Sequence, residues 1–296
     1  MKINYIISMD KVLEKYYEYL KYELNYSDNT ISDYKLHILK YKEYLDKNHL
    51  NYLSIKKDDV IDMLKYLDTL KLTNRTISNI LSALRNFYNY LLDEKYIKTN
   101  IFKVVSNPKL DKKLPNFLSI EDLHKIIESI SIDTPLDLRN RLIIEMLYAT
   151  GVRVSELVNI KISDINFNEQ SIRIMGKGRK ERIVFYGEYA KDILDKYLDI
   201  RNNSNEYLIQ NNKGNKITSR GIEKIIDKVV EKACINNNVS PHTFRHTFAT
   251  HLLNSGCEIK SVQELLGHSS LNTTEVYTHI TSDYLKSEYR KNMPRR

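Results

Sequence analysis

The sequence predicts a mainly α-helical chain of two domains: an N-terminal four-helix unit, then an α+β half carrying a small antiparallel sheet. Three observations predict it. Apolar residues recur at helical spacing in four successive stretches before residue 100, with no convincing strand among them. Periodicity then lapses across a segment holding Pro108, Pro115 and the basic run Lys109–Lys113. Beyond it helical stretches resume, interrupted by Ile165–Phe185, which alternates as strands do. The domain reading is 1–100 for the helical unit, 101–115 for the linker and 116–296 for the second domain with its tail. At 296 residues the chain is long enough for both to bury real cores.

The four N-terminal helices are expected near Met9–Leu24, Asn29–Lys47, Lys56–Leu70 and Thr73–Asp93. Their stripes are Val12, Leu13, Tyr16, Tyr17, Leu20 and Leu24; Ile31, Tyr34, Ile38, Tyr41 and Leu45; Val60, Met63, Leu64 and Leu67; and Ile77, Ile80, Leu81, Leu84, Phe87, Tyr88 and Leu91. No single helix can hide such a face alone, so the four pack together. Ser27 or Asp28 suits the cap of the second helix. Two polar faces remain: Ser27, Asn29, Thr30 and Lys35 on the second helix, and Asn74, Arg75, Thr76, Asn79 and Arg85 on the fourth. These are side chains that meet phosphate oxygens and base edges.

A net charge of +8 and a pI near 9.1 suit a polyanionic partner. Cys234 and Cys257 lie far apart with no metal-ligand spacing, so a reduced protein is expected rather than a disulfide scaffold. No apolar run approaches the ~20 residues that span a bilayer, and the N-terminus lacks a signal peptide's apolar core. A cytoplasmic location is expected.

In the second half, Ser119 and Asp122 form a capping pattern before Leu123, Ile126 and Ile127. Leu136–Gly151 reads as a buried helix stopped by glycine, with Arg153 just beyond and Glu156 on the next turn. A guanidinium held there suits a fixed, bidentate phosphate contact. Ile172 and Ile174, then Gly176-Lys177-Gly178, then Ile183 and Phe185 read as a hairpin with a basic tip. The tip lacks the spacing of a P-loop. Lys180 and Arg182 are candidate phosphate contacts. Helices near Glu188–Ile200 and Ser219–Asn236 flank a short strand at Tyr207–Leu208.

Chemistry concentrates in Ser240–His279. Ser240 and Pro241 suit the start of a helix whose apolar stripe is Phe244, Phe248, Leu252 and Leu253. That puts His242, Arg245 and His246 near its N-terminal end, where free N–H groups and the helix dipole favour an anion. Gly256 ends it, a shorter helix runs through Ile259, Val262, Leu265 and Leu266 to Gly267, and Val276 and Tyr277 close a third. A basic helix start, a second histidine at His268 and a tyrosine at Tyr277 read as a phosphate site with a hydroxyl nucleophile nearby.

The set His242-x-x-Arg245-His246, Leu266-Gly267-His268 and Tyr277 nine residues on resembles the C-terminal signature of the tyrosine recombinases, the integrase family. Ala149-Thr150-Gly151-Val152-Arg153-Val154-Ser155-Glu156-Leu157 agrees with the family's first arginine motif. The N-terminal part resembles its SAM-like core-binding domain more loosely, through Asn29-Thr30 with Tyr34, and Arg75-Thr76 with Ser82-Ala83-Leu84-Arg85 and Phe87-Tyr88. Met293-Pro294-Arg295 is similar to the His-Pro-Arg ending common among Xer recombinases, with Met in place of His.

The resemblance implies a helical clamp on duplex DNA and a catalytic domain. It implies Tyr277 as nucleophile, Arg153, Arg245, His242 and His268 around the phosphate, and Lys177, on the β-turn, as general acid. Glu156 is expected to orient an arginine. No cofactor and no metal are implied, since the His and carboxylate groupings lack metal-site spacing. The partners implied are a double-stranded recombination site, identical or related protomers forming a tetramer on two sites, and a DNA translocase as a possible regulator; no membrane is involved. A last helix at Asp283–Asn292 is expected to dock on a neighbouring protomer. The activity implied is cutting and rejoining through a 3′-phosphotyrosyl link and a Holliday junction, resolving chromosome or plasmid dimers. A mobile-element integrase, a type IB topoisomerase and a non-catalytic architectural DNA-binding protein are the rivals.

Overall fold

The computed structural model describes residues 8–109, 116–176, 181–201, 205–267 and 281–295. The chain divides into two compact units, Met1–Lys113 and Leu114–Arg296. It is mainly helical, with one three-stranded antiparallel sheet in the second unit.

The first unit is built from α1 (Met9–Glu18, running on into a π-turn at Tyr19–Glu23), α2 (Asp28–Lys47), α3 (Lys57–Thr69) and α4 (Asn74–Asp93). Each starts or stops for local reasons. Ser27 Oγ accepts from Thr30 N at 3.3 Å and Thr73 Oγ1 from Thr76 N at 3.2 Å, satisfying amides that the first helical turn leaves orphaned. The core interleaves the expected stripes, with Tyr16, Ile38, Met63, Leu84 and Phe87 fully buried. Its tyrosines keep their hydroxyls paired: Tyr41 and Tyr88 share a 2.5 Å hydrogen bond, and Tyr88 Oη reaches Tyr52 O at 2.6 Å.

The start of the expected linker belongs to this unit. A 3₁₀ turn at Ile101–Val104 buries Phe102 completely against Tyr41 and Tyr88. One aromatic anchor contributes roughly 2–3 kcal/mol of burial, enough to hold a short turn that shows no helical period. Arg85 fixes the same turn, donating to Phe102 O (3.0 Å), Val105 O (2.7 Å) and Asn107 Oδ1 (2.8 Å).

The second unit surrounds α6 (Pro135–Thr150), in which every residue from Leu142 to Thr150 is buried. Against it pack α5 (Ile120–Glu128), the one-turn α7 (Val154–Leu157), α8 (Glu188–Ile200), α9 (Ser219–Lys232) and α10 (Pro241–Asn254). The remaining helices are α11 (Ile259–Leu266) and α12 (Ser282–Asn292). Strands β1 (Ile165–Asn166), β2 (Ser171–Met175) and β3 (Glu181–Phe185) pair in that order, with Ile172 opposite Val184 and Ile174 opposite Arg182. The expected strand at Tyr207–Leu208 is reduced to a single bridge between Lys161 and Tyr207.

Two further features differ from the sequence reading. On β3 the buried apolar residues are Val184 and Phe185, while Ile183 is exposed and Arg182 shares the face of Val184. And α12 docks in cis. Tyr289 and Met293 enter the core of their own unit at 1% and 2% exposure, and Arg290 donates to Gln170 Oε1 at 3.2 Å. Two apolar anchors flanked by polar residues give the tail a seat that its weak periodicity does not announce.

Candidate active site

The site begins where α6 ends. Gly151 takes the left-handed conformation (φ +59°), and a side chain there would overlap the ring of Phe248 on α10. Glycine therefore lets the end of α6 press against α10. Its carbonyl accepts a 2.6 Å hydrogen bond from Arg245 Nη1, and Arg245 Nη2 donates to Leu266 O at 2.6 Å. One buried guanidinium thus ties together the end of α6, the first turns of α10 and the end of α11. Burial first, and then the charge of nearby Arg153, push the Arg245 guanidinium down to about 10, still cationic at neutral pH.

Ser240 caps α10, its hydroxyl accepting from Thr243 N at 3.4 Å, with Pro241 in the first turn. His242 is exposed in that turn, and Arg245 lies buried one turn on. His246 is half-buried with its ring 6.2 Å from that of Phe117.

Arg153 lies between α6 and α7. Glu156 holds it twice: Oε2 accepts from Arg153 N at 2.7 Å and Oε1 from Nη1 at 2.9 Å. The same carboxylate receives Arg182 from β3 through Nη1 (2.9 Å) and Nη2 (2.8 Å). Burial alone would raise the Glu156 carboxyl, but the hydrogen bonds from Arg182 and from the Arg153 backbone outweigh it and hold the group below the usual carboxylate range. Two guanidinium groups thus share one carboxylate, with the Arg245 guanidinium nearby, a net positive arrangement suited to an anionic phosphodiester.

Other expected contacts fall out as follows. Asn29, Lys35, Arg75 and Asn79 are exposed on α2 and α4, and Thr30 and Thr76 are half-buried at the starts of those helices. Lys35 Nζ sits 4.8 Å from the ring centre of Tyr17. Arg85, expected on the DNA-facing side, is spent on its own chain's carbonyls, and Arg182 is turned inward onto Glu156. Lys177, Lys180, His268 and Tyr277 lie outside the described residues.

Sequence reasoning missed a buried polar layer behind the site. His251 Nδ1 pairs with Tyr148 Oη and its Nε2 with Leu118 O, both at 3.0 Å, and Thr247 Oγ1 accepts from Leu118 N at 2.9 Å. The signal was available: His251 continues the Phe244–Phe248 stripe at helical spacing, and so belongs to the core face.

Family models match both units. The phage integrase family model covers residues 116–283, and the phage integrase N-terminal SAM-like domain covers 13–95. The chain belongs to the phage integrase family. It is a tyrosine site-specific recombinase of the Xer type, an enzyme that breaks and rejoins DNA. The recombinase is 41% identical over 292 residues to tyrosine recombinase XerC of Anoxybacillus flavithermus, covering 96% of this chain and 97% of that protein. It is 40% identical to XerC of Oceanobacillus iheyensis, covering 97% of each. Among solved structures it resembles XerH bound to a palindromic difH substrate in a post-cleavage complex, with a TM-score of 0.72, 29% identity, and coverage of 93% of this chain and 82% of that one. A λ integrase tetramer bound to a Holliday junction shares the fold with a TM-score of 0.72 at 21% identity, covering 93% and 81%.

Proposed function

We propose that this recombinase acts on a double-stranded core site as a tetramer of identical or related protomers, exchanging strands through a Holliday junction to resolve chromosome or plasmid dimers. The observation that carries the reading is the convergence of Arg153 and Arg245, 92 residues apart, at the end of α6. Arg245 bonds the carbonyl of Gly151, two residues before Arg153.

In the proposed reaction Arg153 and Arg245 hold the nonbridging oxygens of the scissile phosphate, where negative charge grows in the transition state. His242 and His268 donate to the same oxygens, and His242 assists removal of the Tyr277 proton. Tyr277 Oη then attacks phosphorus, forming a 3′-phosphotyrosyl bond as the 5′ oxygen leaves with a proton from Lys177. The free 5′-hydroxyl of a partner strand reverses the step. One phosphoester replaces another, so no nucleotide is hydrolysed. Glu156 positions Arg153. On the first unit, Asn29, Thr30, Lys35, Arg75, Thr76 and Asn79 grip the duplex, joined by Lys180 from the hairpin.

Xer-named relatives at about 40% identity over nearly full length favour dimer resolution over mobile-element integration. No helix among the described residues is long and apolar enough to cross a membrane, in keeping with the cytoplasmic location proposed. The test is covalent trapping. A nicked duplex bearing the core site should capture wild-type protein, and Tyr277→Phe should bind it without forming an adduct. Binding without any adduct would return the chain to an architectural role, and sequence-independent relaxation of supercoiled plasmid would make it a topoisomerase.

A further inference from the structure

We infer that Arg182 is a positioning residue of the recombination site, one that keeps Arg153 available to the phosphate. The inference rests on the reaction proposed above. Arg182 sits on β3 opposite Ile174, five residues after Lys177 in sequence. Its side chain is 11% exposed, against 39% for Arg153, so it faces protein where Arg153 faces outward. Nη1 and Nη2 bind the two oxygens of Glu156 as a fork, and Nε donates to Leu265 O at 3.1 Å. All three nitrogens are committed inside the unit.

The consequence for Arg153 follows from counting acceptors. A lone buried carboxylate would draw Arg153 into the same two-pronged grip, because the paired fork is the strongest geometry open to a guanidinium and a carboxylate. With Arg182 already on both oxygens, Arg153 keeps a single side-chain contact through Nη1, and among the described residues its Nε and Nη2 are not engaged. Those N–H groups remain for the nonbridging oxygens. Arg182 is thus the counter-charge that stops Glu156 from sequestering its neighbour.

A second contact widens the role. Gly267, at φ +64°, lies so close that a β-carbon there would come within 2.8 Å of Arg182 Cδ. Arg182 therefore fills the space beneath the turn that ends α11, the turn from which His268 follows in sequence. Three pieces of the site are set by one side chain: the hairpin through β3, Arg153 through Glu156, and the end of α11 through Leu265 O. A lysine cannot replace it, having one nitrogen where three are used.

The experiment compares wild type, Arg182→Lys and Arg182→Ala as full-length proteins. The probe is a nicked suicide duplex carrying the site that wild-type protein captures covalently from a random-sequence library. Dissociation constants, their salt dependence, and single-turnover cleavage are measured together. Positioning predicts that both variants cleave at least roughly tenfold more slowly while affinity stays within about twofold and the salt slope is unchanged. Added guanidinium ion should restore part of the rate to Arg182→Ala. In an Arg182→Ala protein that folds poorly, cleavage amplitude falls instead of the rate constant, and the better-packed Arg182→Lys then decides.

A full rate in Arg182→Lys overturns the inference. So does weakened binding with a salt slope reduced by about one ion, which marks a phosphate contact. Wild-type protein that binds but captures no site sinks the proposed reaction itself, an outcome separate from any behaviour of the variants.

Discussion

Arg295 donates to both oxygens of Glu145, from Nε at 3.1 Å and from Nη2 at 2.8 Å, across 150 residues of chain. Glu145 lies in the middle of α6 with its side chain 2% exposed, and Arg141 reaches it as well, at 3.1 Å. The Arg295 guanidinium also stacks 4.1 Å from the ring centre of Tyr189. A carboxylate so deep needs its cations, because an unpaired buried charge is far costlier than the pair is favourable. Arg295 is therefore anchored on the core of its own unit. Arg295→Ala should destabilise that unit by about 3 kcal/mol, the lower end for breaking a buried pair, since Arg141 remains. Hydrogen exchange should show amides of α12 losing protection before those of α6. Equal protection in variant and wild type would mean that the tail is held by Tyr289 and Met293 alone.

The end of α6 makes a second prediction. Gly151→Ala forces a β-carbon into a left-handed residue and into the ring of Phe248 at once. Backbone strain of roughly 1–2 kcal/mol and overpacking of roughly 1–3 kcal/mol should together cost about 3 kcal/mol, read from urea unfolding. Phe248→Leu should recover part of this loss in the Gly151→Ala background by removing the ring. A double variant no more stable than Gly151→Ala would show that the backbone term dominates.

Much of this was legible in the sequence, and particular residues show where legibility ends. The stripes of α1 to α4, the caps at Ser27, Ser119 and Ser240, and the inward pair Ile172 and Ile174 all follow from local chemistry. The orientation of Arg182 does not. With Ile183 and Phe185 taken as the apolar pair of β3, Arg182 points outward; the structure buries Val184 and Phe185 together and leaves Ile183 exposed, which turns Arg182 in. Arg85 shows the same limit. Nothing near it in sequence reveals that Phe102, Val105 and Asn107 will bring it acceptors. The partner of a long polar side chain is set by tertiary packing, whereas a helical stripe is set by spacing.

Arg75 and Arg85 accordingly separate in a binding experiment. Arg75 is exposed near the start of α4, and Arg85 is bound to carbonyls of the following turn. Arg75→Ala should weaken duplex binding and lower the slope of log affinity against log salt by about 0.9, the signature of one lost phosphate contact. Arg85→Ala should leave that slope alone and cost about 2 kcal/mol of stability in the first unit, because carbonyls lose a charged donor. Matching slopes for the two variants would refute the division.

Acid should loosen the active site through Glu156. Its folded-state carboxyl lies below the ordinary value of 4.5 because the hydrogen bonds from Arg182 and Arg153 outweigh burial. Between those two values the unfolded chain binds more protons than the folded one, so stability rises with pH there. The contribution is fully present above about 4.5 and is lost as pH falls through the folded value. Glu156→Gln lacks this titration while keeping the shape of the side chain. The gap in stability between wild type and Glu156→Gln, followed by urea unfolding from about pH 6 to about pH 3, should therefore narrow on the acid side. A gap that stays constant would mean that Glu156 titrates alike in both states, and that the two arginines do not lower its proton affinity.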